Sequence, residues 1–194
     1  LASGSLFPVG TTTVIFTAVD QTGNSTICQF TIEVMDMQTP TAVCQDLTIF
    51  LNGQGQANAA AVMIGGNSTD NCPGALSLSL SQLIFDCSQI GDNNITLTAT
   101  DLAGNTSTCV STVTVQDIMK PTFTCPAAQT TNSCDALVPD LVAQITDAAD
   151  NCGIASITQN PVAGSDFGNA SGQTIIVTIT VTDVNGNVAT CAVP

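Results

Sequence analysis

Three stretches of the chain alternate apolar and polar residues with a period of two, and the same turn follows each of them. Before the first turn Val14, Phe16 and Ala18 alternate with Ile15, Thr17 and Val19. The second stretch sets Ile95, Leu97 and Ala99 against Thr96, Thr98 and Thr100, and the third sets Val177, Ile179 and Val181 against Thr178, Thr180 and Thr182. A period of two with threonine along one face predicts a half-buried antiparallel strand. Beyond the turns, Cys28, Phe30, Ile32 and Val34 share a face, as do Cys109, Val113 and Val115. The turn, Asp-x-x-Gly-Asn, supplies residues that tolerate positive φ, so each strand pair is predicted to close as a hairpin. No segment shows a helical period.

The turns are markers of a repeat. Thr17-Ala-Val-Asp-Gln-Thr-Gly-Asn24, Thr98-Ala-Thr-Asp-Leu-Ala-Gly-Asn105 and Thr180-Val-Thr-Asp-Val-Asn-Gly-Asn187 align, with their aspartates at Asp20, Asp101 and Asp183 spaced by 81 and 82. Cys28, Cys109 and Cys191 keep those offsets, Cys44 and Cys125 are 81 apart, and the Asp-Asn-Cys triplets ending at Cys72 and Cys152 are 80 apart. Such a period is too long for a solenoid unit and suits one sandwich domain per repeat. The predicted fold is all-β: tandem immunoglobulin-like antiparallel β-sandwiches, stapled by disulfides. The expected domains are the second half of a repeat over 1–36, a complete repeat over 37–117, and a repeat that stops in its last strand over 118–194.

Charge narrows the partners. One lysine, Lys120, against fifteen acidic residues gives a net charge of -14. Nucleic acid and anionic membrane surfaces need Lys and Arg to neutralise phosphate, so neither is an expected partner. Acidity with few aromatics can signal disorder, but 44% hydrophobic residues in alternating runs can bury a core. No apolar run is long enough to insert in a membrane. The chain opens on Leu1 without a basic leader, so any targeting signal is expected outside it.

Nine cysteines with no histidine and no C-x-x-C spacing argue for disulfides in an oxidising compartment, outside the cell or on its surface, rather than zinc. The second repeat holds Cys44, Cys72, Cys87 and Cys109; the third holds Cys125, Cys134, Cys152 and Cys191. Four cysteines allow three connectivities, and the sequence does not choose among them. The preferred set joins Cys44 to Cys109 and Cys125 to Cys191, because one member of each pair opens the first strand and the other lies just past the final turn. The remaining pairs would be Cys72 with Cys87 and Cys134 with Cys152. Cys28 is left over, its partner expected upstream of Leu1.

At this point the chain resembles a known family. Phe7-Pro-Val-Gly-Thr-Thr-Thr-Val14, the turn ending at Asn24 and Cys28-Gln-Phe-Thr-Ile-Glu-Val34 are similar to the C-terminal half of a hyalin repeat (HYR) domain. Pro121-Thr-Phe-Thr-Cys-Pro126, Cys134 and Ala149-Asp-Asn-Cys-Gly153 resemble its N-terminal half. The middle repeat departs from the pattern: it has no cysteine matching Cys134 and instead has Phe85-Asp-Cys87. That variant resembles repeats in very large surface proteins of Bacteroidetes, including gliding and adhesion proteins exported by the type IX system. The resemblance implies an immunoglobulin-like fold, an extracellular location, a role in adhesion and no catalytic residues. The expected role is mechanical, as part of a surface stalk, filament or adhesin. Its partners would be neighbouring repeats of the array and, beyond them, surface glycans or other cell-surface proteins.

The sharpest chemical expectation is calcium where consecutive repeats meet. Asp36, Asp70, Asp101 and Asn105 are expected to converge at the first junction, and Asp117, Asp147, Asp150, Asp183 and Asn187 at the second. Calcium takes about six to eight oxygens, which loops rich in Asp and Asn supply. The competing reading is turn chemistry alone, since Asp and Asn hydrogen-bond their own backbone. Outward threonine rows read as good strand formers on a wet face. Five N-x-S/T sequons, at Asn24, Asn67, Asn94, Asn105 and Asn169, follow from composition as readily as from glycosylation. The chain lacks His, Arg, Tyr and Trp, so no enzyme is expected. The alternative function, a glycan- or ligand-binding accessory module of a secreted enzyme, is disfavoured by seven Phe as the only aromatics.

Overall fold

The computed structural model describes residues 4–130, 137–166 and 174–194. In chain order it contains β1 (Gly10–Val19), β2 (Ser25–Val34), β3 (Leu47–Phe50), β4 (Gln56–Asn58), α1 (Ala61–Gly65), β5 (Ser77–Leu80) and β6 (Ile84–Asp86). A short 3-10 turn over Cys87–Gln89 leads into β7 (Gly91–Thr100) and β8 (Thr106–Gln116). After a second such turn over Val142–Gln144 come β9 (Ile154–Asn160), β10 (Val177–Asp183) and β11 (Val188–Val193). The three alternating stretches are thus β1, β7 and β10, and each pairs antiparallel with the strand after it.

The registers coincide. Phe16 stands opposite Cys28, Leu97 opposite Cys109, and Ile179 opposite Cys191. Each turn is closed by main-chain bonds from the aspartate N–H to the asparagine carbonyl, at 3.0 Å for Asp20 and Asp101 and 3.1 Å for Asp183. The glycine of each turn has φ between 90° and 94° (Gly23, Gly104, Gly186), a conformation a β-carbon disfavours.

In the second repeat the strands order β3-β8-β7-β5, faced by the two-stranded sheet β4-β6. Ile95, Leu97, Val113 and Val115 from the larger sheet pack with Ala57 and Phe85 of the smaller one and with Ile49, Leu51 and Ile64. Removing a side chain the size of Leu97 from water stabilises by about 1.5–3 kcal/mol. One pairing departs from the antiparallel rule: β3 lies parallel to β8, Leu47 opposite Val113. The chain reaches it from the linker, running in the same direction as the last strand, so no hairpin constrains the pair. The helix α1 has five residues, too few to leave a helical period in the sequence. In the third repeat β11-β10-β9 form one sheet, and Val177, Ile179, Val181 and Val193 pack on Val138, Leu141 and Ile145.

The first hairpin places equivalent residues differently. Leu97 and Ile179 are 0% exposed, whereas Phe16 is 58% exposed and stacks on Phe30 with ring centroids 5.8 Å apart.

Three disulfides are present among the described residues. Cys44 is bonded to Cys109 and Cys125 to Cys191, joining the entry of each sandwich to its last strand. The expected pairs Cys72–Cys87 and Cys134–Cys152 do not form. Cys87 is instead bonded to Cys152 of the next repeat, with their Cα atoms 5.5 Å apart. The reason is placement: Cys87 sits on the 3-10 turn that faces the third repeat, and each sulfur can make only one such bond. Cys72 and Cys28 are free thiols, and Cys134 lies outside the described residues.

Candidate metal centre at the repeat joints

Each hairpin turn is a cradle built by its own sequence. The Asn105 main-chain N–H donates to Asp101 Oδ1 at 2.8 Å and its side-chain amide to Asp101 Oδ2 at 2.8 Å. Asn187 does the same to Asp183, at 2.9 and 2.8 Å, and Asn24 to Asp20, at 2.9 Å for both bonds. The amides also reach the linkers. Asn105 Nδ2 donates to the Asp36 carbonyl at 3.1 Å, and Asn187 Nδ2 to the Asp117 carbonyl at 3.2 Å. In both linkers the aspartate accepts the N–H two residues on, Gln38 in one and Met119 in the other, at 3.1 Å. The turns therefore fix where each linker aspartate lies.

The electrostatics of the turns follow from these bonds. Burial raises the carboxyl pKa of Asp101 and of Asp183, but the donors around each of them outweigh it. For Asp101 these are Asn105, Gly104 and Ala103; for Asp183 they are Asn187, Asn185 and Gly186. Both stay below the ordinary carboxylate value. Asp20, exposed but held by Asn24 and Thr22, falls to about 2.

At the second joint Asp117, Asp150 and Asp183 come together, with one oxygen from each lying within 4.8 Å of the others. Asp117 is 9% exposed and Asp183 1%. Asp117 Oδ2, Asp150 Oδ2 and Asn151 Oδ1 are buried without a hydrogen-bond donor. Buried oxygens without a donor are costly, at about 1–3 kcal/mol each, unless something positive meets them, and those of Asp117 and Asp150 belong to carboxylates of this cluster. Oxygens on opposite sides of a calcium ion stand about 4.6–5.2 Å apart, so the spacing and donor chemistry suit a hard divalent cation. Asn187 belongs to the joint through its bonds to Asp117 and Asp183. Asp147 is not gathered there; its carboxylate accepts the Thr124 N–H at 3.1 and 3.2 Å.

The first joint has the same frame and different chemistry. Asp36 and Asp70 come within the same distance of the Cys72 sulfur. Asp70 Oδ1 is buried without a donor. The Cys72 thiol is pushed up chiefly by its hydrogen bond to Asp36, then by burial and by the charges of Asp36, Asp70 and Asp101. A protonated thiol is a poor ligand for a hard cation.

Sequence reasoning missed Asn151, whose amide donates to Asp117 at this joint, and missed the Cys87–Cys152 bridge. The one available signal was that Cys87 has no cysteine counterpart in the first repeat: an offset of 81, as between Gly10 and Gly91, places Leu6 there.

Residues 1–34 match the HYR domain. Over 193 residues the chain is 33% identical to hyalin of Strongylocentrotus purpuratus, covering 95% of this chain and 16% of that protein. Over 198 residues it is 28% identical to hyalin of Lytechinus variegatus, covering 98% of this chain and 37% of that one. The chain thus spans well under half of either relative. Among solved structures, human CDH23 EC21-23 matches with a TM-score of 0.40 and 16% identity, over 95% of this chain and 74% of that one. Protocadherin Gamma B7 extracellular cadherin domains 1-4 match with a TM-score of 0.34 and 15% identity, over 95% and 57%.

Proposed function

We propose that this chain is a length of tandem extracellular HYR-type repeats, divided at 36/37 and 117/118, with a structural or adhesive role in a stalk, filament or adhesin. Its second joint is stiffened by a calcium ion held by Asp117, Asp150, Asp183 and the Asn151 side-chain oxygen. The carrying observation is the set of buried, donorless oxygens on Asp117, Asp150 and Asn151. Bound there, a divalent cation offsets the mutual repulsion of the carboxylates. The chain's own contribution is orientation: Asn187 fixes the Asp117 main chain, and the Asp150 carboxylate is turned by accepting the Cys152 N–H at 2.9 Å.

Sequence likeness to hyalin along nearly the whole chain supports the repeat reading. Both named relatives are sea-urchin proteins, so the proposal rests on the array and its joints and not on a bacterial gliding apparatus. Neighbouring repeats are the first partners, with surface glycans or other cell-surface proteins beyond them. The test is thermal unfolding of the chain in calcium, in magnesium and in chelator. A rise in Tm specific to calcium is expected, and identical melting in calcium and chelator would overturn the cation reading.

A further inference from the structure

The two joints have equivalent aspartates and turns, yet among the described residues only the second is crossed by a covalent bond. Cys87 belongs to the repeat that carries Asp117, whereas Cys152 follows directly on Asp150 and Asn151. The contact around the bond is close. Cys87 Sγ lies 3.4 Å from the Asn151 carbonyl oxygen. Asn151 Nδ2 donates to the Asn52 carbonyl and to Asp117 Oδ1, both at 3.2 Å. A β-carbon on Gly55 would lie 2.7 Å from Cys87 Sγ and 2.8 Å from the Asn151 oxygen, so only glycine lets the loops approach. Cys87 is itself held on a 3-10 turn whose Asp86 and Gln89 cap each other reciprocally. At the first joint the matching Asn71 is exposed and Cys72 is a free thiol.

We propose that the Cys87–Cys152 bridge is the positioning element of the second joint's cation site, so that its redox state and cation occupancy are coupled. This rests on the reading of that joint as a cation site. With the bond closed, Asp150 and Asn151 are held against Asp117 before any ion arrives, and binding does not have to order them. A dithiol reductant opens it: two electrons and two protons pass to the sulfurs, giving two thiols, and the reductant closes to its own disulfide. Linkage makes the effect reciprocal, because an ion that favours the closed joint makes the bond harder to reduce by the same factor.

The experiment is calcium calorimetry on the whole chain, its Cys87→Ser/Cys152→Ser form, and an Asp117→Asn form that assigns the binding step to the second joint. A step dependent on Asp117 whose Kd rises about tenfold without the bridge is expected. No such step in the unaltered chain would overturn the cation reading itself. An equal Kd with and without the bridge would overturn only the coupling. A second measurement needs no cysteine variant. With exposed thiols blocked, the reduced fraction of Cys87 and Cys152 is trapped by alkylation in a dithiothreitol couple, with and without calcium. A tenfold shift, about 30 mV toward resistance, is expected with calcium; coincident curves would overturn the coupling.

Discussion

The side-chain amide of Asn187 donates to the main-chain oxygen of Asp117 at 3.2 Å, across 70 positions of sequence. The same amide holds Asp183 Oδ2, so one residue joins the hairpin turn to the linker that enters the repeat.

Removing that amide has a directional consequence. Asn187→Ala leaves Asp183, 1% exposed, with one fewer donor at the joint. A buried charged acceptor that loses its partner costs about 1–3 kcal/mol. Asn24→Ala breaks the same bond in the first turn, where Asp20 is solvated and water replaces the donor. Hydrogen exchange of β10 and β11 amides is expected to accelerate by at least about fivefold in the first variant, and that of β1 and β2 far less in the second. Equal effects would show that the turns do not differ in burial.

Acid acts on the same turns. Asp101 and Asp183 titrate below the ordinary carboxylate value because their donors favour the charged form. A group whose folded pKa is depressed contributes stability that is present above its unfolded pKa and is lost as pH falls through the folded one. Stability is therefore expected to be flat near neutrality and to decline below about pH 4. Replacing both with Asn should flatten that acid limb. Denaturant titrations between pH 7 and pH 2 measure it, and an unchanged limb in the double variant would assign the loss to other carboxylates.

These turns were legible in the sequence for a local reason. Asp-x-x-Gly-Asn encodes its own bonds within five residues, and the period-two strands on either side fix which residues face in. The sandwich of the second repeat follows, because Ile95, Leu97, Val113 and Val115 can be buried together only against a second layer. The Cys87–Cys152 bond was not legible. It joins two loops of different repeats across 65 positions, and neither loop has a periodic pattern to reveal its direction. Cysteine counting within each repeat assumed that sulfurs pair inside their own domain, and Cys87 lies on the face where the next domain begins. Asp147 misled similarly: its type suited a cation, but the Thr124 N–H lies beside it.

The bridge within the second repeat is expected to act on global stability. Cys44 and Cys109 close a loop of 65 residues, which in the chain-entropy model stabilises by about 4 kcal/mol. Cys44→Ala/Cys109→Ala should lower the unfolding free energy of that repeat by this amount, read from exchange of buried amides in β7 and β8 in urea. A loss under about 1 kcal/mol would mean that the unfolded chain stays compact without the bond.

Gly55 separates the joint from the cores. Its φ is +70°, and an added methyl would meet Cys87 Sγ and the Asn151 carbonyl well inside contact distance. Gly55→Ala is expected to push the loops apart while Phe85, 0% exposed at the centre of the core, keeps its packing. Small-angle scattering should report a broader distribution of interdomain distances, with unchanged far-ultraviolet circular dichroism. If the distribution stays narrow, the joint is held by something other than this contact.

The sharpest prediction concerns Asp117, because its sign depends on the ion. In chelator, three carboxylates crowd the second joint and Asp117 Oδ2 has no donor facing it. Asp117→Asn keeps the Oδ1 acceptor used by Met119 and Asn151, removes one negative charge, and replaces the donorless oxygen with an amide that can donate to Asp150. Without a divalent ion the variant should therefore melt at or above the temperature of the unaltered chain, since like charges in contact disfavour the folded joint. In millimolar calcium the order should invert, because the ion loses a carboxylate ligand that the amide replaces poorly. Differential scanning calorimetry of both proteins in both buffers gives the four temperatures needed. A variant that is destabilised equally in calcium and in chelator would show that Asp117 serves only the turn, and the second joint would then be held by hydrogen bonds and its disulfide alone.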